Sequence, residues 1–285
     1  MAGAAREHAA DEPFAPSRSG DLLFHGVAVV VKSLYSAVLS KRWRGTEHLR
    51  RREGYIVVAN HVTEVDPVTV AYPVYNRGTI PRFLAKEGLF RVPVLGWVLR
   101  RTSQIPVPRG SMDARKSLAA ARAVVDAGGA VIIYPEGTLT RDPELWPMMG
   151  RTGAARLALE TGAPVIPVAH WGDQEFLPPK ATRPRLFPRK RVEVLVGTPI
   201  DFSDLLPGEG EHLSRRALDE VTERMMREIT ALLEQLRGEQ APAGRWDPRA
   251  GARVEPQRGA EARRRLRPRR PAFPWEGRRA TPPTT

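Results

Sequence analysis

A histidine and an aspartate stand at a spacing that suits acid–base chemistry. His61 and Asp66 have four residues between them and follow the apolar run 55–59. On a regular helix a five-residue step turns by about 140°, so the two side chains can meet only if the chain bends between them. An aspartate bonded to one imidazole nitrogen fixes the tautomer and leaves the other nitrogen as a base. The pair therefore predicts a histidine base oriented by an aspartate.

The surrounding residues predict how this pair is positioned. The run 55–59 has the pattern of a fully buried strand, and Asp66 followed by Pro67 is a helix-start signal with the aspartate as N-cap. Ligands of open α/β sheets collect beyond the carboxyl ends of strands. The chain has no cysteine and no serine nucleophile motif, so we expect the base to activate a hydroxyl group of a substrate. By itself the spacing is equally compatible with a helix-capping Asp66 and a hydrogen-bonded loop histidine.

Four later segments lie on or beside predicted strands. Together with Asn60-His61 and Asp66, they resemble the glycerolipid acyltransferase family, which includes 1-acyl-sn-glycerol-3-phosphate acyltransferase. The resemblance covers about residues 55–200. It rests on the N-H-x-x-x-x-D motif and on four further matches: Lys86-x-x-Leu89-Phe90, Ile105-Pro106-Val107-x-Arg109, Pro135-Glu136-Gly137-Thr138 and Ile166-Pro167-Val168.

The resemblance implies an activity and a set of site residues. The activity is transfer of a fatty acyl group from acyl-CoA or acyl carrier protein to the free hydroxyl of 1-acyl-sn-glycerol 3-phosphate, forming phosphatidate. His61 and Asp66 would be catalytic, with backbone N–H groups near the same turn as oxyanion donors. No metal or other cofactor is expected. The implied substrate-binding residues are Asn60, Lys86, Arg109, Glu136, Gly137, Thr138, Arg141, Ile166 and Pro167.

The third motif departs from the family pattern. Leu139 stands where the family has an arginine, and Arg141 follows two residues later. This leaves open which arginine contacts the acceptor phosphate. An acyltransferase of the same fold acting on another lysophospholipid or a glycolipid therefore remains an alternative. A third, less favoured interpretation is a non-enzymatic basic protein that binds membranes or nucleic acid, although no nucleic-acid partner is expected.

Charge and composition define the predicted domains. The 285 residues carry a net charge of +13, which implies anionic partners such as phosphates or anionic lipid. Residues 239–285 hold twelve arginines, five acidic residues and eight prolines, a composition typical of a disordered tail. Residues 1–20 are also predicted to be disordered, and residues 21–238 to form the acyltransferase domain.

Residues 22–40 are predicted to form an amphipathic helix on a membrane surface. Apolar residues recur at helical spacing, but Lys32 and a polar stripe argue against a spanning helix. Lys41, Arg42 and Arg44 follow directly and could contact lipid phosphates. The alternative is a helix that packs only on its own domain. We expect a peripheral or monotopic protein on the cytoplasmic face of the plasma membrane, with the lipid bilayer and lysophosphatidate as partners.

The apolar pattern predicts an α/β fold with a mixed sheet flanked by helices. His170 is interpreted as a structural histidine, with a second titrating group as the alternative, and Pro167 predicts that its strand lies at an edge or a bulge. The predicted strands are 55–59, 82–86, 103–107, 130–134, 165–172 and 191–196. The predicted helices beyond the first are 67–75, 88–100, 111–127, 150–161 and 213–237.

Overall fold

The computed structural model describes residues 18–107, 111–206, 208 and 212–255. The helices are α1 (Arg18–Val38), α2 (Asp66–Asn76), α3 (Leu95–Arg101), α4 (Ser111–Asp126), α5 (Gly153–Thr161), α6 (Asp173–Phe176) and α7 (Arg215–Arg237). The strands are β1 (Leu39–Arg44), β2 (Tyr55–Ala59), β3 (Pro81–Lys86), β4 (Ile105–Val107), β5 (Ala130–Ile133), β6 (Val165–Trp171), β7 (Lys190–Val196), β8 (Arg245–Asp247) and β9 (Ala252–Val254).

A seven-stranded mixed sheet in the order β1-β7-β6-β2-β5-β3-β4 forms the centre of the fold. Every neighbouring pair is parallel except β6 and β7, which run antiparallel. The carboxyl ends of β2, β3, β4, β5 and β6 therefore lie along one edge, where ligands of such sheets collect. The predicted mixed α/β fold is confirmed.

The sheet is buried on both faces, which explains why its central strands are continuous apolar runs rather than alternating ones. On one face Ile56, Val58 and Val131 pack against the apolar sides of α4, α5 and α7. On the other face Val57 and Ile132 pack against α2. Burial from both sides fixes the strand ends that carry the polar residues.

The proline in β6 does not mark an edge, so the edge alternative of that prediction is wrong, whereas the bulge alternative stays a prediction. β6 lies between β7 and β2, and Pro167 pairs with Val58. The ladder with β7 begins only at Val168 opposite Val196, and the Pro167 carbonyl accepts the N–H of Gly197 at 2.8 Å. Pro167 stands at the end of this ladder and contributes only its carbonyl to it, because proline has no N–H.

The basic residues after α1 form an edge strand rather than a loose cluster. β1 pairs in parallel with β7 from Leu39 to Arg44, and Leu39 is buried. The ammonium group of Lys41 donates to the hydroxyls of Ser36 at 2.5 Å and Tyr72 at 3.1 Å. Arg42 and Arg44 remain exposed. Of the three predicted lipid-contacting cations, Lys41 is thus engaged within the domain.

Residues 239–255 are ordered, which corrects the predicted start of the disordered tail. β8 and β9 form an antiparallel hairpin, and Trp246 accepts the N–H of Met149 at 3.0 Å. Arg253 forms a two-pronged ion pair with the buried Asp142 at 2.7 and 2.9 Å. This hairpin braces the loop that follows the third motif. The predictions for residues 1–17 and 256–285 lie outside the described residues.

α1 uses its polar side to pack on the domain and leaves apolar side chains in solvent. His25 bonds to the Tyr75 hydroxyl, and Lys32 donates to Asn76, both at 2.7 Å. The buried Arg82 pairs with Asp21 at 2.5 Å and so ties α1 to β3. Leu22 and Leu34 are 74% and 64% exposed. The helix therefore presents its apolar side outward, as the amphipathic interpretation requires.

Candidate active site

His61 and Asp66 meet as predicted, through the turn between β2 and α2. His61 Nδ1 lies 2.9 Å from Asp66 Oδ2, and the carboxylate can only accept, so Nδ1 carries the hydrogen. The other ring nitrogen, Nε2, is then the basic one. The His61 side chain is 18% exposed whereas Asp66 is fully buried. A solvent-accessible base is thus hydrogen-bonded to a buried aspartate that is held in place.

The Asp66 carboxylate points back into the preceding loop instead of forward over its helix. Oδ2 accepts the N–H groups of Val62 at 2.5 Å and Thr63 at 2.8 Å, and Oδ1 accepts the Thr63 hydroxyl at 3.0 Å. The N-cap role predicted for Asp66 is therefore wrong, because its oxygens bind donors before the helix. Burial opposes ionisation, but the charge of His170 and the bonds from His61 and Thr63 outweigh it and lower the pKa of Asp66.

Two residues of the loop that follows β5 hold the base from the other side. The Tyr134 ring stacks on His61 with centroids 4.1 Å apart and 17° between the planes. The Glu136 carboxylate accepts the N–H of His61 and the N–H of Met148, each at 3.0 Å. The stacking by Tyr134 escaped the sequence analysis because it joins residues far apart in the chain.

Glu136 and Asn60 are both buried and bond to backbone groups of neighbouring segments, and their predicted contact with substrate stays a prediction. Burial raises the pKa of Glu136 to about 8, although the hydrogen bonds from the two N–H groups act to lower it. Both of its oxygens face backbone groups. The Asn60 amide donates to the His170 carbonyl at 3.1 Å and accepts the His170 N–H at 3.0 Å. These two side chains lock β2 to β5 and β6 instead of reaching toward solvent.

The remaining predicted substrate residues divide between surface and interior. Lys86, Gly137 and Arg141 are exposed and Thr138 is partly exposed. Ile166 is fully buried in the core and Pro167 is also buried, and their predicted contact with substrate stays a prediction. Arg109 lies outside the described residues.

Arg151 stands beside the third-motif turn. Gly137 has a φ of 71°, a conformation that favours glycine. A Cβ atom at Gly137 would lie 3.0 Å from Arg151 Cδ and Nε. The Arg151 side chain thus crosses the exposed backbone of the turn, and the Arg151 N–H donates to the Pro135 carbonyl at 2.8 Å. Arg151 therefore joins Arg141 as a cation available near Leu139.

The backbone groups closest to the base are already engaged. The N–H groups of His61, Val62 and Thr63 donate to the carboxylates of Glu136 and Asp66. They cannot also point at a reacting carbonyl without breaking those bonds. The prediction that N–H groups of this turn form the oxyanion hole therefore does not hold for these three residues.

A second histidine–aspartate pair lies behind the first. His170 Nδ1 is 2.7 Å from Asp173 Oδ2, and His170 Nε2 is 2.9 Å from the Asn60 carbonyl oxygen. With Asp66, these residues offer ligand atoms within 4.8 Å of one another, as a metal site would. Both ring nitrogens of His170 face oxygen acceptors, however, which suits hydrogen bonding and leaves no lone pair directed at a metal.

The raised pKa values of His170 and Glu136 predict that the protein loses stability as the solution becomes alkaline. Burial lowers the pKa of His170, but the charges of Asp66 and Asp173 outweigh this and raise it from 6.5 to about 9. Between these values the folded chain binds more protons than the unfolded chain, so the free energy of unfolding falls as pH rises. The raised pKa of Glu136 has the same sign between 4.5 and about 8.

Urea unfolding at pH 6.5 and pH 9 measures this loss. One pKa unit corresponds to about 1.4 kcal/mol, so the His170 contribution is of the order of 2–3 kcal/mol. A His170→Gln variant should show a flatter dependence over the same window. Equal stability of the wild-type protein at the two pH values would contradict the prediction.

Comparison with known proteins agrees with this site. Residues 41–171 match the model of the Acyltransferase family. The chain is 26% identical over 219 residues to the 1-acyl-sn-glycerol-3-phosphate acyltransferase of Streptococcus pneumoniae, covering 76% of this chain and 75% of that protein. It is 31% identical over 127 residues to a chloroplastic 1-acyl-sn-glycerol-3-phosphate acyltransferase of Brassica napus, covering 43% of this chain. It spans only 34% of the length of that plant relative.

A solved structure shares the fold. The crystal structure of the 1-acyl-sn-glycerophosphate acyltransferase of Thermotoga maritima superimposes with a TM-score of 0.54 at 21% identity, over 78% of this chain and 83% of that one. The family match includes His61, Asp66 and the third-motif turn. The motifs at the strand ends and the sheet that positions them thus coincide with the match to the Acyltransferase family model over residues 41–171.

Proposed function

We propose that this protein transfers a fatty acyl group from a thioester donor to the free hydroxyl of 1-acyl-sn-glycerol 3-phosphate, forming phosphatidate. The observation that carries the proposal is the His61–Asp66 pair at 2.9 Å, with the basic ring nitrogen directed away from the buried carboxylate. The names of the relatives support the choice of acceptor.

The proposed reaction needs one proton movement that this pair can perform. His61 Nε2 removes the proton from the acceptor hydroxyl as the oxygen attacks the thioester carbonyl. Asp66 holds the ring in the required tautomer and stabilises the imidazolium that forms. The thiolate of acyl-CoA or acyl carrier protein then leaves and takes up the proton. A positioned base contributes roughly 10²–10⁴-fold, and no metal or other cofactor enters this scheme.

A matrix of donors and acceptors tests the proposal. Acyl-CoA and acyl carrier protein are each paired with lysophosphatidate, glycerol 3-phosphate and a lyso-glycolipid, and products are identified by mass. We expect phosphatidate from lysophosphatidate with at least one donor. A clear preference for the lyso-glycolipid would instead support the second candidate function, which the leucine at position 139 favours.

Phosphate recognition is proposed to rest on the Gly137–Thr138 turn and nearby arginines. Arg151→Ala and Arg141→Ala should each raise the KM for lysophosphatidate more than the KM for the donor. A charge-assisted bond is worth about 1.5–3 kcal/mol, or roughly ten- to a hundred-fold. Arg109→Ala is expected to act in the same direction, on sequence grounds alone.

Arg156→Ala is the matched control for Arg151. Arg156 stands on α5, which begins two residues after Arg151, and pairs with Glu160 at 3.6 Å on the surface. Equal KM increases for donor and acceptor in the Arg151 and Arg141 variants would exclude these side chains from phosphate recognition. An effect confined to one of the two would identify the arginine that replaces the one missing at position 139.

Membrane binding is proposed to use an apolar surface formed by α1 and α3. Residues 20–38 are long and apolar enough to span a membrane by length and composition, but their polar side packs on the domain. α1 contacts α3, where Val94 and Trp97 are 76% and 49% exposed. Such a surface, with basic residues at its margin, suits a peripheral or monotopic protein. The cytoplasmic face is proposed from the excess of basic residues.

Charged substitutions on α1 should abolish salt-resistant binding to vesicles. Val29→Glu with Leu34→Glu replaces two exposed side chains, each worth about 1.5–3 kcal/mol when buried in lipid. Sedimentation with anionic vesicles at high salt should show at least about tenfold weaker binding. The control, Ser203→Glu with Gln235→Glu, adds two acidic side chains at exposed positions elsewhere. Unchanged binding by the α1 variant would exclude this surface.

A truncation distinguishes the contribution of the arginine-rich C-terminal segment from that of the apolar surface formed by α1 and α3. The cut belongs after residue 255, because residues 239–255 pack on the domain through Arg253 and Trp246. Loss of residues 256–285 should weaken vesicle binding mainly at low salt, since that segment is rich in arginine.

A further inference from the structure

A line of buried polar groups runs from α1 through the sheet edge to the candidate base. The Tyr35 hydroxyl lies 2.8 Å from Thr69 Oγ1, and Thr69 Oγ1 donates to Asp173 Oδ1 at 2.5 Å. Asp173 bonds to His170 at 2.7 Å. His170 Nε2 lies 3.6 Å from Asp66 Oδ2, the same oxygen that bonds to His61. Asp66, His170 and Asp173 are fully buried.

The hydrogen bonds place one proton on the His170 ring, and the surrounding charges favour a second. The Asn60 carbonyl oxygen can only accept, so His170 Nε2 carries a hydrogen. Asp173 Oδ1 is occupied by the Thr69 hydroxyl, and Oδ2 faces His170 Nδ1. A buried carboxylate is costly unless it is paired with a charge or well hydrogen-bonded, and the raised pKa of His170 agrees with a proton on Nδ1 as well. His170 is then an imidazolium between two carboxylates.

We propose that His170 and Asp173 form a positioning pair that, acting through Asp66, sets how readily His61 takes up a proton, an inference that rests on the proposed function. The positive ring of His170 and the ring of His61 share one oxygen of Asp66. Inside a protein, charges at such separations interact strongly because the effective dielectric constant is about 20. The charge on His170 therefore opposes a second positive charge on His61.

The charge on Asp173 limits this opposition. With Asp173 ionised, the buried pair is neutral overall, so the imidazolium that forms on His61 during the reaction is not excluded. The titratable groups facing this cluster come from several elements, and each enters the balance. They are Tyr35 on α1, Asp66 at the start of α2, His61 after β2, Tyr134 and Glu136 after β5, and Asp173 on α6.

The pH dependence of His61 reactivity tests the proposal without needing a substrate. Diethyl pyrocarbonate modifies only the neutral imidazole ring, and the extent of modification at His61 is read by peptide mass spectrometry. His170→Gln retains an amide donor for the Asn60 carbonyl but removes the charge. The pH of half-maximal modification at His61 should rise by about one unit in this variant, a roughly tenfold change in proton affinity.

A core variant separates this charge effect from simple destabilisation. Ile229→Val loosens a fully buried site on α7 without removing any charge, and it should leave the half-maximal pH unchanged. If the enzyme is active on lysophosphatidate, the acid limb of its pH–rate profile should shift upward in His170→Gln by the same amount. An unchanged midpoint in a folded His170→Gln protein would overturn the proposal, whatever the outcome of the acyl transfer assays.

A measurement on the wild-type chain covers the case in which the variant does not fold. In protein labelled with ¹⁵N-histidine, the nitrogen chemical shifts of His170 at pH 7.5 should show both ring nitrogens protonated. A neutral His170 ring at this pH would overturn the proposal. The buried His170 ring is distinguished from the other histidines by its resistance to diethyl pyrocarbonate.

Discussion

Replacing His61 with alanine should lower the turnover of acyl transfer by about 10²–10⁴-fold while the protein remains folded. His61 is the one ring at this sheet edge, within the described chain, that combines partial exposure with a fixed aspartate partner. Without it, the described residues at this edge offer no other exposed imidazole to take the proton of an acceptor hydroxyl. The expected loss falls on kcat, because the base acts in the transition state and contributes little to binding of the acceptor.

A surface histidine provides the control for this substitution. His212 is exposed, and His212→Ala should leave turnover unchanged. Circular dichroism and urea unfolding of both variants report whether the fold is intact. Near-normal turnover of a folded His61→Ala protein would remove His61 from the mechanism.

Asp66→Asn should reduce turnover by up to the same factor with a smaller effect on structure. Most of the donors converge on Oδ2, so an asparagine oxygen at that place retains the bonds from Val62, Thr63 and His61. The amide would lie at Oδ1, where the Thr63 hydroxyl can rotate to accept. The charge that stabilises the developing imidazolium is lost while the shape is conserved.

The double variant shows whether the two residues act as one unit. If Asp66 works only through His61, then His61→Ala combined with Asp66→Asn should be no slower than His61→Ala alone, because effects within one catalytic unit are not additive. A further tenfold loss in the double variant would give Asp66 a separate role. Full turnover by a folded Asp66→Asn protein would show that its charge is not needed.

The central features of the site could be predicted because they are local. The apolar run 55–59, the histidine after it and the Asp66-Pro67 helix start lie within thirteen residues, and their geometry follows from strand, turn and helix. The same locality explains the correct prediction of the long amphipathic α7. Only the direction of the Asp66 carboxylate differed, because the loop offered it donors that the helix start did not.

The long-range contacts that hold the site residues in place could not be predicted in the same way. Asn60 and His170 are 110 residues apart and meet only because β6 pairs with β2. Likewise, Arg253 reaches Asp142 across 111 residues, although the composition around it is typical of a disordered tail. The strand β1 was missed because alternate exposed positions carry charge, which hides its pairing with β7. These contacts depend on the order of strands in the sheet, which spacing within one segment does not contain.

Transfer of a labelled acyl chain to lysophosphatidate tests the account most directly. Purified wild-type protein is incubated with lysophosphatidate and acyl-CoA or acyl carrier protein carrying a labelled acyl group, beside His61→Ala and His212→Ala. The account predicts labelled phosphatidate from the wild type and His212→Ala at equal rates, and from His61→Ala at a rate lower by about 10²-fold or more. Release of free fatty acid without phosphatidate, or equal phosphatidate formation by all three proteins, would contradict it.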